Sequence, residues 1–252
     1  MPTHSELYTK AIQDFLQKNK LTSFDLQAVL FDMDGVLFDS MPIHASSWTQ
    51  ALLEMGVDFT EKEGYLNEGR TGSGTINIVY QRSLGRDATE AEIQRIYTRK
   101  SELFESVPKA PVMPGASELL ELVKQEGLQR ILVTGSGQKT LIKRLNLNFP
   151  GHFTQDKMVT AFDVTIGKPH PEPYLQGLKK AHASIAQAVV IENAPLGVES
   201  AKAAGIFTIA VKTGKLDDHH LLDAGADLLF QGMPALYKAW PTLLSCFQSV
   251  EI

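Results

Sequence analysis

A chain of 252 residues with 43% hydrophobic and 21% charged content has the makeup of a globular protein, long enough for one large α/β domain or a core carrying an insertion. No apolar run approaches the roughly 18 to 20 residues of a membrane span. A net charge of −5 with scattered basic residues leaves no basic patch for nucleic acid. The expectation is a cytoplasmic protein with no membrane or nucleic-acid partner, taken as a monomer although the sequence does not give oligomeric state. The opening stretch "MPTHSELYTKAIQDFLQKNK" has no continuous apolar segment of the kind a secretory signal needs. The single cysteine, Cys246, excludes a disulfide framework and reads as a packed thiol.

In chain order, residues 1 to about 24 read as an extra N-terminal helix. The first buried strand is predicted over Ala28 to Phe31, with others at Ile131 to Thr134, Met158 to Ala161, Ala188 to Ile191, Phe207 to Val211 and Asp227 to Phe230. These runs lack strict alternation, as strands buried on both faces do. Helix-period stretches fall between most of them: "GASELLELVKQEG", "GQKTLIKRLNLN", "PEPYLQGLKKAHA" and "LGVESAKAAG". Gly127 and Gly205 sit where a helix-ending residue belongs. The alternation predicts an α/β fold, a Rossmann-like doubly wound parallel sheet. Between Ser40 and about Pro111 no strand is convincing; "PIHASSWTQALLEMG", "GTINIVYQRSLG" and "TEAEIQRIYTRKSELFES" predict helices. The domain expectation is a core over 1–41 and 111–252, with an inserted helical cap over 42–110.

Ligands of open α/β sheets bind outside the carboxyl ends of the strands. The residues there are informative. Asp32 and Asp34 follow the first strand, in "FDMDGVLFDS"; Thr134, Gly135 and Ser136 follow the second; Glu192 and Asn193 follow the fourth; Lys168 stands before the proline turn of "GKPHPEPY". Clustered carboxylates repel one another unless a cation or hydrogen bonds compensate. Together these types supply hard oxygen ligands for a divalent cation, a hydroxyl and amides for an oxyanion, and a fixed positive charge. Phosphoryl transfer needs that set, because phosphate oxygens must be neutralised before an anionic nucleophile approaches. Asp32 would attack phosphorus and Asp34 would handle protons. Gly35 would let the backbone turn tightly behind them. Asp39, ahead of Pro42, reads as a cap of the helix entering the insert. His44 and Trp48 lie on one helical face, either in the core or on the wall of the cleft. The histidines of "DDHH" at 217–220 show no convergent metal spacing.

The stretches "FDMDGVLFDS", "VTGSG", "GKPHPEPY" and "IENAPLGVESAKAAGI" resemble the four ordered motifs of the haloacid dehalogenase superfamily, in its β-phosphoglucomutase-like branch with a helical cap. The resemblance runs from about Gln27 to the end of the chain. It implies that Asp32 is the nucleophile and Asp34 the acid/base whose backbone carbonyl also binds Mg²⁺. It further implies Thr134 and Lys168 as phosphate binders and Glu192 with Asn193 as the metal arm. The second aspartate argues against the dehalogenases, which lack an acid/base there. Where the mutases have a Glu-Asp pair, this chain has Glu192 and Asn193, so the site has one negative charge fewer for the metal.

The cap loop "YLNEGRTGSG" departs further. The comparable mutase loop reads like L-K-G-V-S-R. Alignment on Gly69 puts Glu68 at the lysine and Gly72 at the arginine that grips a sugar's distal phosphate. Glu68 makes sense there as an additional Mg²⁺ contact or a base ordering metal-bound water, and Arg70 as a balance for a second phosphoryl group. This loop, with "MPIHASSW" and "VTAFD", resembles bacterial inorganic pyrophosphatases of the same branch. The expected function is Mg²⁺-dependent hydrolysis of a small anionic phosphate substrate, pyrophosphate foremost. A β-phosphoglucomutase, a broad sugar-phosphate phosphatase and a non-catalytic protein that keeps the fold are the alternatives.

Overall fold

The structure, a computed structural model, describes residues 3–136 and 141–251. Six strands, β1 (Ala28–Phe31), β2 (Gln129–Val133), β3 (Met158–Val159), β4 (Ala188–Glu192), β5 (Phe207–Val211) and β6 (Leu228–Phe230), form one sheet in the order β3-β2-β1-β4-β5-β6. Every pairing is parallel. The chain therefore crosses over between strands, and β1 lies at the centre, where the order reverses. That reversal opens a crevice at the carboxyl ends of β2, β1 and β4.

Alternate strand residues feed two apolar layers, as strand geometry requires. Val29 and Phe31 join Leu132, Val189, Phe207 and Ile209 on one face. There they meet α1 (His4–Asn19), α6 (Ala116–Gln125), α7 (Leu141–Asn148) and α11 (Met233–Ser249). Ala28 and Leu30 join Ile131, Val133 and Val190 on the other face. That face is covered by α8 (Glu172–Ala181) and α9 (Pro195–Ala203). Helix α1 starts with a capping box, in which Thr3 and Glu6 satisfy each other's backbone donors. Its buried stripe of Tyr8, Ile12, Phe15 and Leu16 is the i, i+4, i+7, i+8 pattern of a core-facing helix. Phe15 sits edge-on to Phe207 at 5.4 Å.

Between β1 and β2 the chain forms α2 (Met41–Leu53), α3 (Glu61–Leu66), α4 (Gly72–Leu84) and α5 (Glu90–Ser106). Helices α2, α4 and α5, with Phe59 from the loop before α3, share an apolar cluster of their own, built on Leu52, Phe59, Ile76, Val79 and Ile96. The entry and exit strands run side by side. Phe38 and Val112 form an antiparallel bridge, the Asp39 amide donates to the Pro111 carbonyl at 3.0 Å, and the Met113 amide to the Leu37 carbonyl at 2.9 Å.

The structure differs from the predicted elements in identifiable places. The third strand is only the two residues Met158–Val159. Part of the stretch read as a cap loop is helical: Tyr65 and Leu66 close α3, and α4 begins at Gly72. Helices α3 and α10 (Asp218–Asp223), each six residues long, are too short to show periodicity, and α11 carries Pro241 inside it. The N-cap residue before α2 is Ser40, not Asp39, and its side chain makes no capping bond. The predicted helix over 137–148 is present as α7; positions 137–140 lie outside the described residues. Cys246 is a buried free thiol.

The N-terminal helix is an integral part of this core. Phe15→Ala should cost about 3–5 kcal/mol in denaturant unfolding; a loss below about 1 kcal/mol would show that α1 is an appendage.

Candidate active site

Strand β1 ends at Phe31, and the next residue turns its side chain into the crevice. The Asp32 carboxylate accepts a hydrogen bond from Lys168 Nζ at 2.5 Å. Lys168 is 2% exposed and also donates to Glu192 Oε1 at 2.7 Å and the Val133 carbonyl at 3.3 Å. Burial alone would push this lysine toward neutrality, but Asp32 and Glu192 more than offset it and raise its pKa well above the ordinary value. Tyr174 adds a hydroxyl donor to Glu192 Oε1 at 2.9 Å.

Glu192 Oε2 accepts the backbone amides of Asn193 at 2.8 Å and Ala194 at 3.1 Å. Both carboxylate oxygens are thus engaged: Glu192 holds Lys168 and shapes the turn into α9. The turn needs a glycine beside it, because a Cβ at Gly197 would lie 1.7 Å from Glu192 Oε1.

Asn193 packs against the backbone after Asp34. Gly35 has φ +81, and a Cβ there would stand 2.0 Å from Asn193 Nδ2. Glycine is required at Gly35 both for the turn and for this close approach. Asn193 Nδ2 donates to Glu68 Oε1 at 2.9 Å, which joins the insert to the core. Asn193 Oδ1 is buried and has no hydrogen-bond partner.

The two aspartates sit in opposite environments. Burial raises Asp32 most; Lys168 lowers it, while Glu192 and Asp34 raise it further, leaving the carboxyl at about 8 instead of its ordinary 3.8. Burial also opposes the charge of Asp34, but His44, the Ser40 hydroxyl and Arg144 outweigh it and hold that carboxyl at about 2. The Ser40 hydroxyl donates to Asp34 Oδ1 at 2.5 Å, and His44 Nε2 lies 3.3 Å from the same oxygen. On its other side, His44 Nδ1 is 2.8 Å from Lys100 Nζ. Burial, then Lys100, lower the His44 pKa while Asp34 works against them. An ammonium can only donate, so Nδ1 accepts and Nε2–H donates to Asp34. Lys100 is itself drawn down to about 8 by burial, Asp34 opposing.

Asp32, Asp34, Thr134, Gly135, Ser136, Glu68 and Arg70 line one cleft, with His44, Trp48 and Lys100 on its insert side. The Ser136 amide donates to Thr134 Oγ1 at 3.1 Å, which curls the loop after β2. Arg70 Nε donates to Asn67 Oδ1 at 3.3 Å. Lys168, Glu192 and Asn193 stand behind this lining. Of the two readings of His44 and Trp48, the structure favours the cleft wall. Sequence reasoning missed the Ser40–Asp34 bond and the reach of Lys100, because Lys100 comes from α5, 66 positions beyond Asp34. The even charge pattern of α5 marks no residue as special.

The cluster fits a divalent cation. An orphaned buried amide oxygen on Asn193 lies among acids whose charge burial disfavours: Asp32, and Glu68, whose pKa is raised well above the ordinary value by burial and then by Asp32. The oxygen donors available are Asp32, Glu68, Asn193 and the Asp34 carbonyl. The carboxylates alone do not converge as a triad. Among the described residues, the side chains that do converge on a possible ion are Asp217, His219 and His220, mostly exposed, in the stretch where the sequence shows no such spacing.

Residues 29–211 match the haloacid dehalogenase-like hydrolase family. The chain is 33% identical over 203 residues to a phosphorylated carbohydrates phosphatase of Thermotoga maritima, covering 80% of this chain and 92% of that one. It is 30% identical over 183 residues to hexitol phosphatase A of Escherichia coli, covering 72% and 81%. A solved β-phosphoglucomutase-like protein from Bacteroides vulgatus superposes with a TM-score of 0.94 at 54% identity, covering 96% of this chain and 99% of its own.

The raised pKa of Asp32 has a measurable sign. The native state keeps a proton on Asp32 up to about 8 that the unfolded carboxyl releases near 3.8. The native state thus binds more protons across that window, and metal-free stability is lost as pH rises through it. A cation among these acids offsets the loss, so the rise in melting temperature caused by Mg²⁺ should be larger at pH 8 than at pH 6. Thermal unfolding with and without Mg²⁺ tests this, and a shift equal at both values would refute it.

Proposed function

We propose that this chain, which belongs to the haloacid dehalogenase-like hydrolase family and is a phosphatase or phosphotransferase, hydrolyses inorganic pyrophosphate through an aspartyl phosphate on Asp32. The observation that carries this reading is Glu68, which the insert delivers into the acid cluster and bonds to Asn193. A sugar phosphate bound across this cleft would set its distal phosphate against a carboxyl group. Pyrophosphate is compact, needs no sugar pocket and binds as a cation complex, for which a carboxyl group is a partner. Arg70, half-buried on the same lining, is placed to balance the second phosphoryl group.

Mg²⁺, which phosphatases of this family generally use, would be held by Asp32, the Asp34 carbonyl, Asn193 and Glu68, and when bound supplies neutralisation of the phosphoryl oxygens. Lys168 keeps the Asp32 carboxylate oriented and adds a fixed positive charge. In the first step Asp32, having lost its proton to solvent, bonds through one carboxylate oxygen to phosphorus while the bridging P–O bond breaks, and the electron pair of that bond leaves with inorganic phosphate. Thr134, whose Oγ1 lines the cleft, is placed to donate its hydroxyl to a non-bridging oxygen.

In the second step water attacks the same phosphorus. Its proton passes to Asp34, the acyl phosphate bond breaks toward Asp32, and a second phosphate departs. An Asp34 held at about 2 is ionised at neutral pH and ready to act as that base. Its low value also suits the leaving group, since phosphate is a far weaker base than a sugar alkoxide and departs with little need of a proton.

The second reading, phosphorylated carbohydrate as substrate, is favoured by the names of the relatives. A panel of pyrophosphate, β-glucose 1-phosphate and hexitol phosphates with Mg²⁺ separates the two. The expected kcat/KM for pyrophosphate exceeds that of any sugar phosphate by about 100-fold or more; dominant formation of glucose 6-phosphate from β-glucose 1-phosphate would overturn the proposal. Asp32→Asn should lower turnover by about 10³-fold or more with the fold intact by circular dichroism. Glu68→Lys should lose pyrophosphate turnover selectively.

A further inference from the structure

The loop between β5 and α10, residues 212–217, touches both halves of the site. The Lys212 amide donates to the Phe230 carbonyl at 2.8 Å, which ties the loop to the sheet. The Thr213 hydroxyl donates to the Gly35 carbonyl at 2.6 Å, directly behind Asp34. Leu216 is buried with Met41, Ala45 and Tyr65 of the insert. Lys215 reaches Glu61 at 2.9 Å, an exposed pair of small energetic weight.

Between them, Gly214 faces the ring of Tyr65. A Cβ on Gly214 would lie 3.1 Å from Tyr65 Cδ1 and 3.2 Å from Cε1, closer than ordinary van der Waals contact. Gly214 is not among the glycines with positive φ, so its backbone conformation does not demand glycine; what a side chain there meets is Tyr65, whose ring would have to give by a few tenths of an ångström. Tyr65 lies one turn before Glu68, whose amide donates to the Tyr65 carbonyl at 3.4 Å. Behind Tyr65 there is no slack, because Gly64 presses on α2: a Cβ there would come within 2.9 Å of Ala45 Cα. Beyond Glu68 the fit is equally close. A Cβ on Gly69 would be 3.0 Å from Lys168 Cδ, and one on Gly135 would be 3.1 Å from the Gly69 carbonyl oxygen. A ring displaced from Gly214 therefore cannot be absorbed by sliding the loop deeper; the loop has to withdraw.

We infer that Gly214 is a positioning residue: the space left by its missing side chain lets Tyr65 seat against the core and thereby sets how far Glu68 enters the site. The inference rests on the proposed role of Glu68 in the reaction, but its structural half stands apart from the substrate. Hydrogen–deuterium exchange on the substrate-free protein reads that half. In Gly214→Ala the amides of residues 65–71 should exchange about tenfold faster, with the sheet unchanged. Pyrophosphate kcat should fall about tenfold while KM moves by less than about twofold. The double variant Gly214→Ala with Tyr65→Leu, in which a shorter side chain makes room for the added methyl, should recover both. Unchanged exchange over 65–71 in Gly214→Ala overturns the inference, as does faster exchange and lost turnover that the double variant fails to reverse. A wild-type protein that leaves pyrophosphate untouched overturns the proposed function instead, and the exchange pattern still decides the role of Gly214.

Discussion

A lysine with 1% of its side chain exposed, bonded to two buried carboxylates, is the interaction on which the site depends. Dehydrating a charged lysine together with the carboxyl groups that face it is costly, and the cost is offset only where geometry is good and the remaining lone pairs are satisfied. Lys168 meets that condition through the Val133 carbonyl, Tyr174 and the amides that occupy Glu192. This network spans β1, β2 and β4 and both sides of the turn into α9. The catalytic crevice is therefore held by the same contacts that fix the ends of the central strands, so orientation of Asp32 and integrity of the sheet are not separable.

The second organising fact is the contrast between Asp32 and Asp34, two positions apart and driven to opposite protonation states. The difference comes from their neighbours. Asp32 faces acids and a single shared lysine; Asp34 faces a hydroxyl, an imidazole and more distant cations from the insert and α7. Separated pKa values in one cleft are the arrangement by which two similar groups take different chemical duties. Here the insert contributes on both sides of that division. His44 and Lys100 act on Asp34, and Glu68 adds to the acidic surroundings of Asp32.

Much of this was legible in the amino-acid order, for reasons that can be named. Strand β1 is an uninterrupted apolar run and β5 a run of apolar and β-branched residues, and their predicted bounds coincide with the observed ones. The helical interval between β1 and β2 showed as an absence of such runs. Asp32, Asp34, Thr134 and Lys168 were legible because each sits just past a strand or in a proline-bounded turn. Glu192 was legible as a site residue but not in its partners, since nothing local shows that its oxygens face Lys168 and its own following amides. The links Ser40–Asp34, His44–Lys100 and Tyr65–Gly214 join residues whose spacing carries no period. The His44–Lys100 link exists only once α5 has packed on α2, and the Tyr65–Gly214 contact only once the insert has folded back on the core. Helix α11 was hidden by Pro241, tolerated because Leu236, Trp240, Leu243 and Phe247 bury enough surface to outweigh a broken hydrogen bond.

The central place of β1 also bears on how the molecule is made. Its two neighbours, β2 and β4, lie about 100 and 160 positions downstream. Helix α1 beneath it packs on α11, and Ser23 bridges to Glu251. During synthesis the first 31 residues therefore emerge long before any partner, while the insert's helices, with their own apolar cluster, can close on themselves. Such long-range pairing slows folding and leaves apolar surface waiting. Assembly should then run against the direction of translation: the insert forms early, and β1, made well before its neighbours β2 and β4, is among the last elements to reach its native contacts.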